Sequence, residues 1–432
     1  MDECAKYIHS GRYPTSHITQ RSNEVNLIVA PKFYLLGLPS RYLTGKKVSG
    51  IRERKEEIMG YTLDRRQWLK TSALAVAGLI AGPGLEAYRK EGSGAKDFLQ
   101  RDDVVALDSN ESPFGMSPFA REAITGSLDL SNRYPQNFYP QLKEMISERE
   151  NITPEHIILG AGSTEVMVTL IHYAKTDGEI LVGDPTYFDF LYYAMRSERS
   201  LKKVRLNDRF EHDLEAMEKR ITSRTDLIYI CNPDNPTGTI TPKDKLLPFC
   251  EYASKRALVV VDEAYHEYVE DEAYASATDL VKQGKNIIVT RTFSKIFGLA
   301  GLRIGYGIAH PDVIEKLNKL SRNFAPVAWL SLKAAIASYQ DREFIRRTRE
   351  KNSKVKAFLT EGLDKLGLYR VPSHTNFVLF EVEQDASGLA RRLEAQKILV
   401  RPFAFHDKQW IRVSCGTREE LGAFISALAA NL

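Results

Sequence analysis

Cysteine and tryptophan are scarce in this chain, at four and three of 432 residues. Cys4, Cys231, Cys250 and Cys415 form no CxxC pair and no metal-ligand spacing. That excludes a disulfide framework and a zinc motif, and no metal is expected. Each cysteine reads instead as a small core residue. No apolar run approaches the roughly 20 residues that span a bilayer, so no stable membrane anchor is expected. Neither sign of charge dominates: 60 basic and 56 acidic residues leave a net charge of +4. That balance gives no basis for a nucleic-acid partner or an anionic membrane surface.

What is present is ordinary globular composition, 43% hydrophobic and 27% charged, over a length that suits two or three domains. The first hundred residues differ from the rest. Residues 1–58 show no helical or strand period and end in the charged cluster Arg52-Glu53-Arg54-Lys55-Glu56-Glu57. Arg65-Arg66 then precedes an uncharged Ala/Leu/Val/Gly-rich stretch from Thr71 to Leu85. A basic pair before a short apolar run has the layout of an export leader, and it resembles a twin-arginine signal with Trp68 where Phe is usual. Leu85-Glu86-Ala87 is a poor small-x-small cleavage site. Met59 lies six residues before Arg65 and would start a leader of normal length. An exported, periplasmic location is therefore expected, with cytoplasmic as the alternative. A helix with chance arginines is the plainer account of the same residues.

From about residue 100 the pattern is regular. Ile157–Leu159, Ile180–Val182, Leu227–Ile230, Leu258–Val261 and Ile287–Val289 are short apolar runs, mostly β-branched. Helical patterns at 164–174, 212–221 and 243–256 separate them. Continuous apolar strands alternating with helices predict an α/β fold, a mostly parallel sheet covered on both faces. After about residue 326 a long charged helical stretch (341–366) leads to strand-like Asn376–Glu381 and Trp410–Ser414. That reads as a smaller α+β domain.

Ligands of open parallel sheets bind beyond the carboxyl ends of the strands. There the runs lead into Gly160-Ala161-Gly162-Ser163-Thr164, Cys231-Asn232-Pro233-Asp234-Asn235, Asp262-Glu263-Ala264-Tyr265 and Thr290-Arg291-Thr292-Phe293-Ser294-Lys295. A glycine-rich helix start, an amide, a carboxylate, a phenol and a lysine thus converge on one edge. Such a set suits a pyridine-aldehyde phosphate. The lysine amine forms an imine with the aldehyde, and a buried carboxylate keeps the pyridine nitrogen protonated. A helix N-terminus with hydroxyls and an arginine holds the phosphate. Taken singly, each residue has a plainer reading: Asp262 as a helix cap, Asn232–Gly238 as a turn, Lys295 as a solvated lysine, Tyr187 as core. Their order and spacing argue for the joint reading.

The ordered runs NESPFG (Asn110–Gly115), NRYP (Asn132–Pro135), DPTY (Asp184–Tyr187), NPDNPTG (Asn232–Gly238), DEAY (Asp262–Tyr265), TFSKIFGLAGLRIGY (Thr292–Tyr306), LVRPF (Leu399–Phe403) and IRVSCGT (Ile411–Thr417) resemble the fold-type-I aminotransferases, most of all the histidinol-phosphate aminotransferase family. The resemblance spans roughly residues 100–432. It implies pyridoxal 5'-phosphate bound covalently by Lys295, Asp262 at the pyridinium nitrogen, Asn235 and Tyr265 at the ring hydroxyl, and Tyr187 against the ring face. It implies a phosphate site made by Gly162, Ser163, Thr164, Thr292, Ser294 and Arg303, with Tyr134 reaching the phosphate of a neighbouring subunit in a homodimer. Arg412 would grip a carboxylate, Arg401 would help hold a distal phosphate, and Asn110 and Phe114 would lie near the substrate. The implied reaction moves an amino group from histidinol phosphate to 2-oxoglutarate.

Two positions depart from the family pattern. Ser112 stands where Asn is common, and Phe114 where Tyr is frequent. The export leader also fits poorly with a cytoplasmic biosynthetic pathway. Three further readings remain: an exported aminotransferase for another donor, for example an aromatic amino acid; a phospho-amino-acid decarboxylase of the same fold; and a non-catalytic relative, disfavoured because Lys295 and Asp262 are both present. The implied division is an N-terminal extension (1–58), the leader (59–90), an arm (91–130), a large cofactor-binding domain (131–325) and a small C-terminal domain (326–432).

Overall fold

A computed structural model describes residues 104–135, 138–321 and 327–432. The extension, the leader with Arg65 and Arg66, and the first part of the arm lie outside the described residues.

The strands are β1 (Val105–Ala106), β2 (Ile157–Gly160), β3 (Glu179–Asp184), β4 (Ser200–Arg205), β5 (Thr225–Cys231), β6 (Leu258–Asp262), β7 (Ile287–Thr292), β8 (Gly305–Ala309), β9 (Phe377–Val382), β10 (Ile398–Leu399), β11 (Arg401–Phe405) and β12 (Lys408–Ser414). The helices are α1 (Pro118–Thr125), α2 (Phe138–Glu150), α3 (Ser163–Tyr173), α4 (Phe188–Arg196), α5 (Leu214–Arg220), α6 (Lys243–Ala253), α7 (Thr278–Lys282), α8 (Pro311–Leu320), α9 (Trp329–Gln340), α10 (Arg342–Lys365), α11 (Ala386–Glu394) and α12 (Arg418–Ala429).

Seven strands form the main sheet in the order β2-β8-β7-β6-β5-β3-β4. The pairs among β3 to β7 are parallel, and β8 runs antiparallel to both β2 and β7. All five predicted runs are strands of this sheet. Alternation along each strand feeds two cores. Ile228, Ile230, Val259 and Val261 pack with α2, α6 and α9. Leu227, Tyr229, Leu258 and Val260 pack with α3, α4 and α8 on the other face. Residues buried on both faces explain why these strands read as unbroken apolar runs.

Two strands of the sheet had no apolar signature. β4 (SLKKVR) is an edge strand; its Lys203 is exposed, as edge lysines commonly are, and its Lys202 pairs with Glu179 at 2.6 Å. β8 (GYGIA) begins at Gly305, where a Cβ would collide with the backbone of Gly162 and Ser163. The glycine lets β8 press against the start of α3.

The C-terminal part holds a second, antiparallel sheet in the order β11-β12-β9, as the α+β pattern predicted. Its core takes Leu359 and Leu363 from α10, Leu389 and Leu393 from α11, and Leu421 and Phe424 from α12. Two expected limits shift. α9 falls inside 326–432, yet Leu332, Ala335 and Tyr339 belong to the core of the main sheet. The arm serves both parts: α1 packs on α9, whereas β1 pairs with β10 and Leu107 enters the smaller core. Composition changes near residue 326, but packing changes only within α10. Among the described residues no helix is long and apolar enough to cross a membrane, and no cluster of His, Cys, Asp or Glu could hold a metal.

Candidate active site

β5, β6 and β7 end side by side, and their following residues wall a cavity of about 300 Å³. Its lining includes Lys295, Asp262, Asn235, Tyr265 and Tyr187, with Ser163, Thr164, Thr292, Ser294 and Arg303. One chain thus brings ten of the expected residues together.

Asp262 closes β6 and is buried. Its carboxylate accepts from the Tyr229 hydroxyl at 2.8 Å and from the Thr290 hydroxyl at 3.0 Å. Burial nevertheless pushes it up to about 6, because two neutral donors do not replace the lost hydration. A cationic partner in the cavity would offset that cost. Lys295 follows β7. Burial first, then the neighbouring Arg412 guanidinium, lower its amine to about 8. Its Nζ donates to the carbonyl of Asn110 at 3.2 Å and lies 5.6 Å from the centre of the Tyr265 ring.

Tyr265 is fixed from two sides. The side-chain amides of Asn110 and Asn235 both donate to its hydroxyl oxygen, at 3.1 and 3.2 Å. Arg412, buried on β12, donates to Asn235 Oδ1 at 2.6 Å and to the Asp108 carbonyl at 2.7 Å. Its Nε has no protein partner. Burial lowers this guanidinium to about 10.

The other end of the cavity is a cradle of donors. Gly162 has φ +81°, and a Cβ there would meet Arg303 Nη2 at 2.7 Å. The glycine thus lets the guanidinium reach the first turn of α3. Ser163 and Thr164 open that helix, whose free N–H groups and dipole favour an anion. Ser294 accepts from Thr292 at 3.0 Å and from Arg303 at 3.4 Å. A helix start, three hydroxyl side chains beside a fourth, and one guanidinium fit a phosphate monoester.

A second cavity adjoins the first and shares Ser109, Tyr187, Asp189, Asn235 and Lys295 with it. Asn110, Arg401, Arg412, Phe188 and Phe403 also line it.

Two expected residues stand apart. Phe114 lines neither cavity; its ring lies 5.5 Å from Lys351 Nζ, on α10. Tyr134 is 75% exposed on a surface segment before α2 and lines neither cavity of this chain. Sequence reasoning missed Tyr229 and Thr290, which hold Asp262, because a strand pattern does not show which neighbour meets which. It also missed Asp189, whose carboxylate accepts from Tyr187 at 2.9 Å. A carboxylate two residues beyond a proposed ring platform was the available signal. The buried Cys231, Cys250 and Cys415 are free thiols, as core residues would be, and Cys231 lines the first cavity.

The family model for aminotransferases of class I and II matches residues 102–428. The chain belongs to this family. The aminotransferase is 37% identical to the histidinol-phosphate aminotransferase of Moorella thermoacetica over 83% of its own length and 92% of the relative's. It is 38% identical to that of Caldicellulosiruptor saccharolyticus, over 78% and 94%. Among solved structures, the aminotransferase resembles the histidinol-phosphate aminotransferase of Sinorhizobium meliloti in complex with pyridoxal-5'-phosphate. The TM-score is 0.71 at 27% identity, covering 75% of this chain and 90% of that one. A fold-type-I architecture, with a mostly parallel sheet and a smaller C-terminal part, follows for this aminotransferase.

Proposed function

We propose that this aminotransferase moves the amino group of histidinol phosphate to 2-oxoglutarate, with pyridoxal phosphate held at Lys295. The observation that carries the reading is one cavity in which Lys295 and the buried Asp262 share walls with a phosphate-sized cradle, beside a second cavity bearing Arg401 and Arg412. The names of the relatives support the donor.

When bound, the cofactor supplies an electron sink for the carbon that carries the amine. The protein's residues do the rest. Ser163, Thr164, Thr292, Ser294 and Arg303 bind the phosphate. Asp262, held by Tyr229 and Thr290, keeps a proton on the ring nitrogen. Asn235 and Tyr265 orient the ring hydroxyl, and Tyr187, tethered by Asp189, covers the ring face. Lys295 would take the proton from the carbon that bears the amine and deliver it to the adjoining carbon of the cofactor. An amine lowered to about 8 has a neutral fraction at neutral pH, which that role requires. Arg412 and Arg401 line the outer cavity, where they would meet the acceptor's carboxylate and the donor's phosphate.

The chain is read as a homodimer. Exposed Phe119, Leu128, Leu130 and Tyr134 gather on the segment that would carry Tyr134 to a neighbour's cradle. A second reading, an exported enzyme for an aromatic donor, rests on Arg65-Arg66 and on the rings of Phe188 and Phe403 in the outer cavity.

The test is a donor half-reaction followed through the visible band of the lysine-bound cofactor. Bleaching by histidinol phosphate at micromolar to millimolar concentration supports the first reading. Bleaching by phenylalanine or tyrosine alone replaces it with the second. Release of carbon dioxide without bleaching would point to decarboxylation instead.

A further inference from the structure

On β7 Thr292 lines the first cavity and Thr290 bonds Asp262 on the same side, so Arg291 between them points the other way. It enters a cleft of about 360 Å³ that is also lined by Arg149, Arg342, Arg346 and Arg349. These five cations are not equally neutralised. Arg291 pairs with Glu263 at 2.9 Å and Glu150 at 2.7 Å. Arg346 pairs with Glu343 and Glu350 along its own helix. For the other three, no carboxylate partner occurs among the described residues. Arg149 donates to the Tyr339 carbonyl and lies 3.6 Å from the centre of that ring. Arg349 donates to the Glu267 carbonyl. Arg342 stands exposed at the start of α10.

The cleft also holds two phenols that are almost fully buried, Tyr306 (1% exposed) and Tyr339 (3%). Their hydroxyls lie near each other without completing a hydrogen bond, and neither has another partner. Buried hydroxyls are rarely left this way, because an unmade hydrogen bond keeps the full desolvation cost. The remaining carboxyl of the lining, Glu267, is half-buried, and desolvation pushes it up to about 7, which weakens its opposition to an anion.

We infer that this cleft is a second binding site, for a small molecule carrying phosphate. Guanidinium groups match phosphate oxygens in geometry and charge, and phenol hydroxyls supply further donors. The ligand would contact β7 on the side opposite the cofactor.

The experiment uses the holoenzyme with its cofactor cradle filled, titrated with pyrophosphate by calorimetry at low ionic strength, where such contacts are least screened. Beyond any binding in the substrate cavity, which Arg401→Gln weakens, one further saturable site per chain is expected. Affinity at that further site should fall at least tenfold in Arg342→Gln/Arg349→Gln and stay unchanged in Arg401→Gln, which removes a cation from the substrate cavity. The single, exposed Arg342→Gln should weaken binding at least threefold, and it serves if the double variant does not fold. The inference fails if the wild type shows no such further site, if Arg342→Gln leaves affinity there unchanged, or if Arg401→Gln abolishes binding there. Tighter binding of citrate than of pyrophosphate would overturn the phosphate class. None of these outcomes depends on which donor the enzyme uses.

Discussion

The backbone carbonyl of Asn110 accepts a hydrogen bond from Lys295 Nζ across 185 residues of sequence. Asn110 does more than that. Its side-chain amide donates to Tyr265, and its backbone N–H donates to Ser414 Oγ at 2.8 Å. Its carbonyl also accepts from Asn376 Nδ2 at 3.0 Å. The arm therefore ties the end of β7 to β9 and β12 through one buried residue.

Asn110 holds φ +54°, a left-handed conformation that Asn tolerates better than most residues. Asn110→Ala adds backbone strain and strips Tyr265 and Ser414 of a partner. A loss of about 1–3 kcal/mol in urea unfolding is expected. Asn110→Gly should recover part of it by relieving the strain. Equal losses in both variants would show that φ carries no cost.

Lys295→Ala should abolish turnover and remove the visible band of lysine-bound cofactor, while cofactor still binds through the cradle. Residual transamination above about one part in a thousand would displace Lys295 from the central role.

Asp262 has a folded-state pKa near 6, above its ordinary value of 3.8. Between those values the folded cofactor-free protein binds more protons than the unfolded chain. The Asp262 contribution to stability therefore falls as pH rises from about 4 to 6 and stays low above it. Asp262→Asn should stabilise the cofactor-free protein at pH 7 by roughly 1–3 kcal/mol, with the gain vanishing near pH 4. The same variant should lose most of its donor half-reaction rate. Thermal melts of both proteins across pH 4–8 test the sign; a variant less stable at pH 7 than the wild type contradicts it.

Arg303 fills the space left by Gly162. Arg303→Lys keeps a charge but loses the planar fork. Cofactor affinity should weaken roughly 10- to 100-fold, the equivalent of a charge-assisted hydrogen bond. Gly162→Ala should act in the same direction, through displacement of the guanidinium. Fluorescence titration of the cofactor-free protein measures both.

If residues 59–90 are an export leader, replacing Arg65 and Arg66 by lysine should hold the protein in the cytoplasm. N-terminal sequencing of the natural product should then find a start after the apolar run. A mature chain that retains Arg65 argues for a cytoplasmic enzyme, and with it for histidinol phosphate as donor.

The sequence by itself determined the sheet interior and the identity of most residues that line the first cavity. Strands buried on both faces must be apolar throughout, so β2, β3, β5, β6 and β7 announced themselves. The residues just beyond them, Asp262, Lys295, Asn235 and Ser163, stand at fixed distances along the chain from those runs, so their convergence could be read from order alone. Tertiary structure decided what local pattern cannot encode. β4 is polar because an edge strand faces water, and α9 joins the main core because its apolar face meets α1 and α2. Tyr229 and Thr290 became Asp262's partners only through strand register. Arg412 and Asn110 entered the site only because the C-terminal sheet and the arm fold back over the ends of the strands. Contacts between residues far apart in sequence depend on packing geometry, and no single segment carries that information.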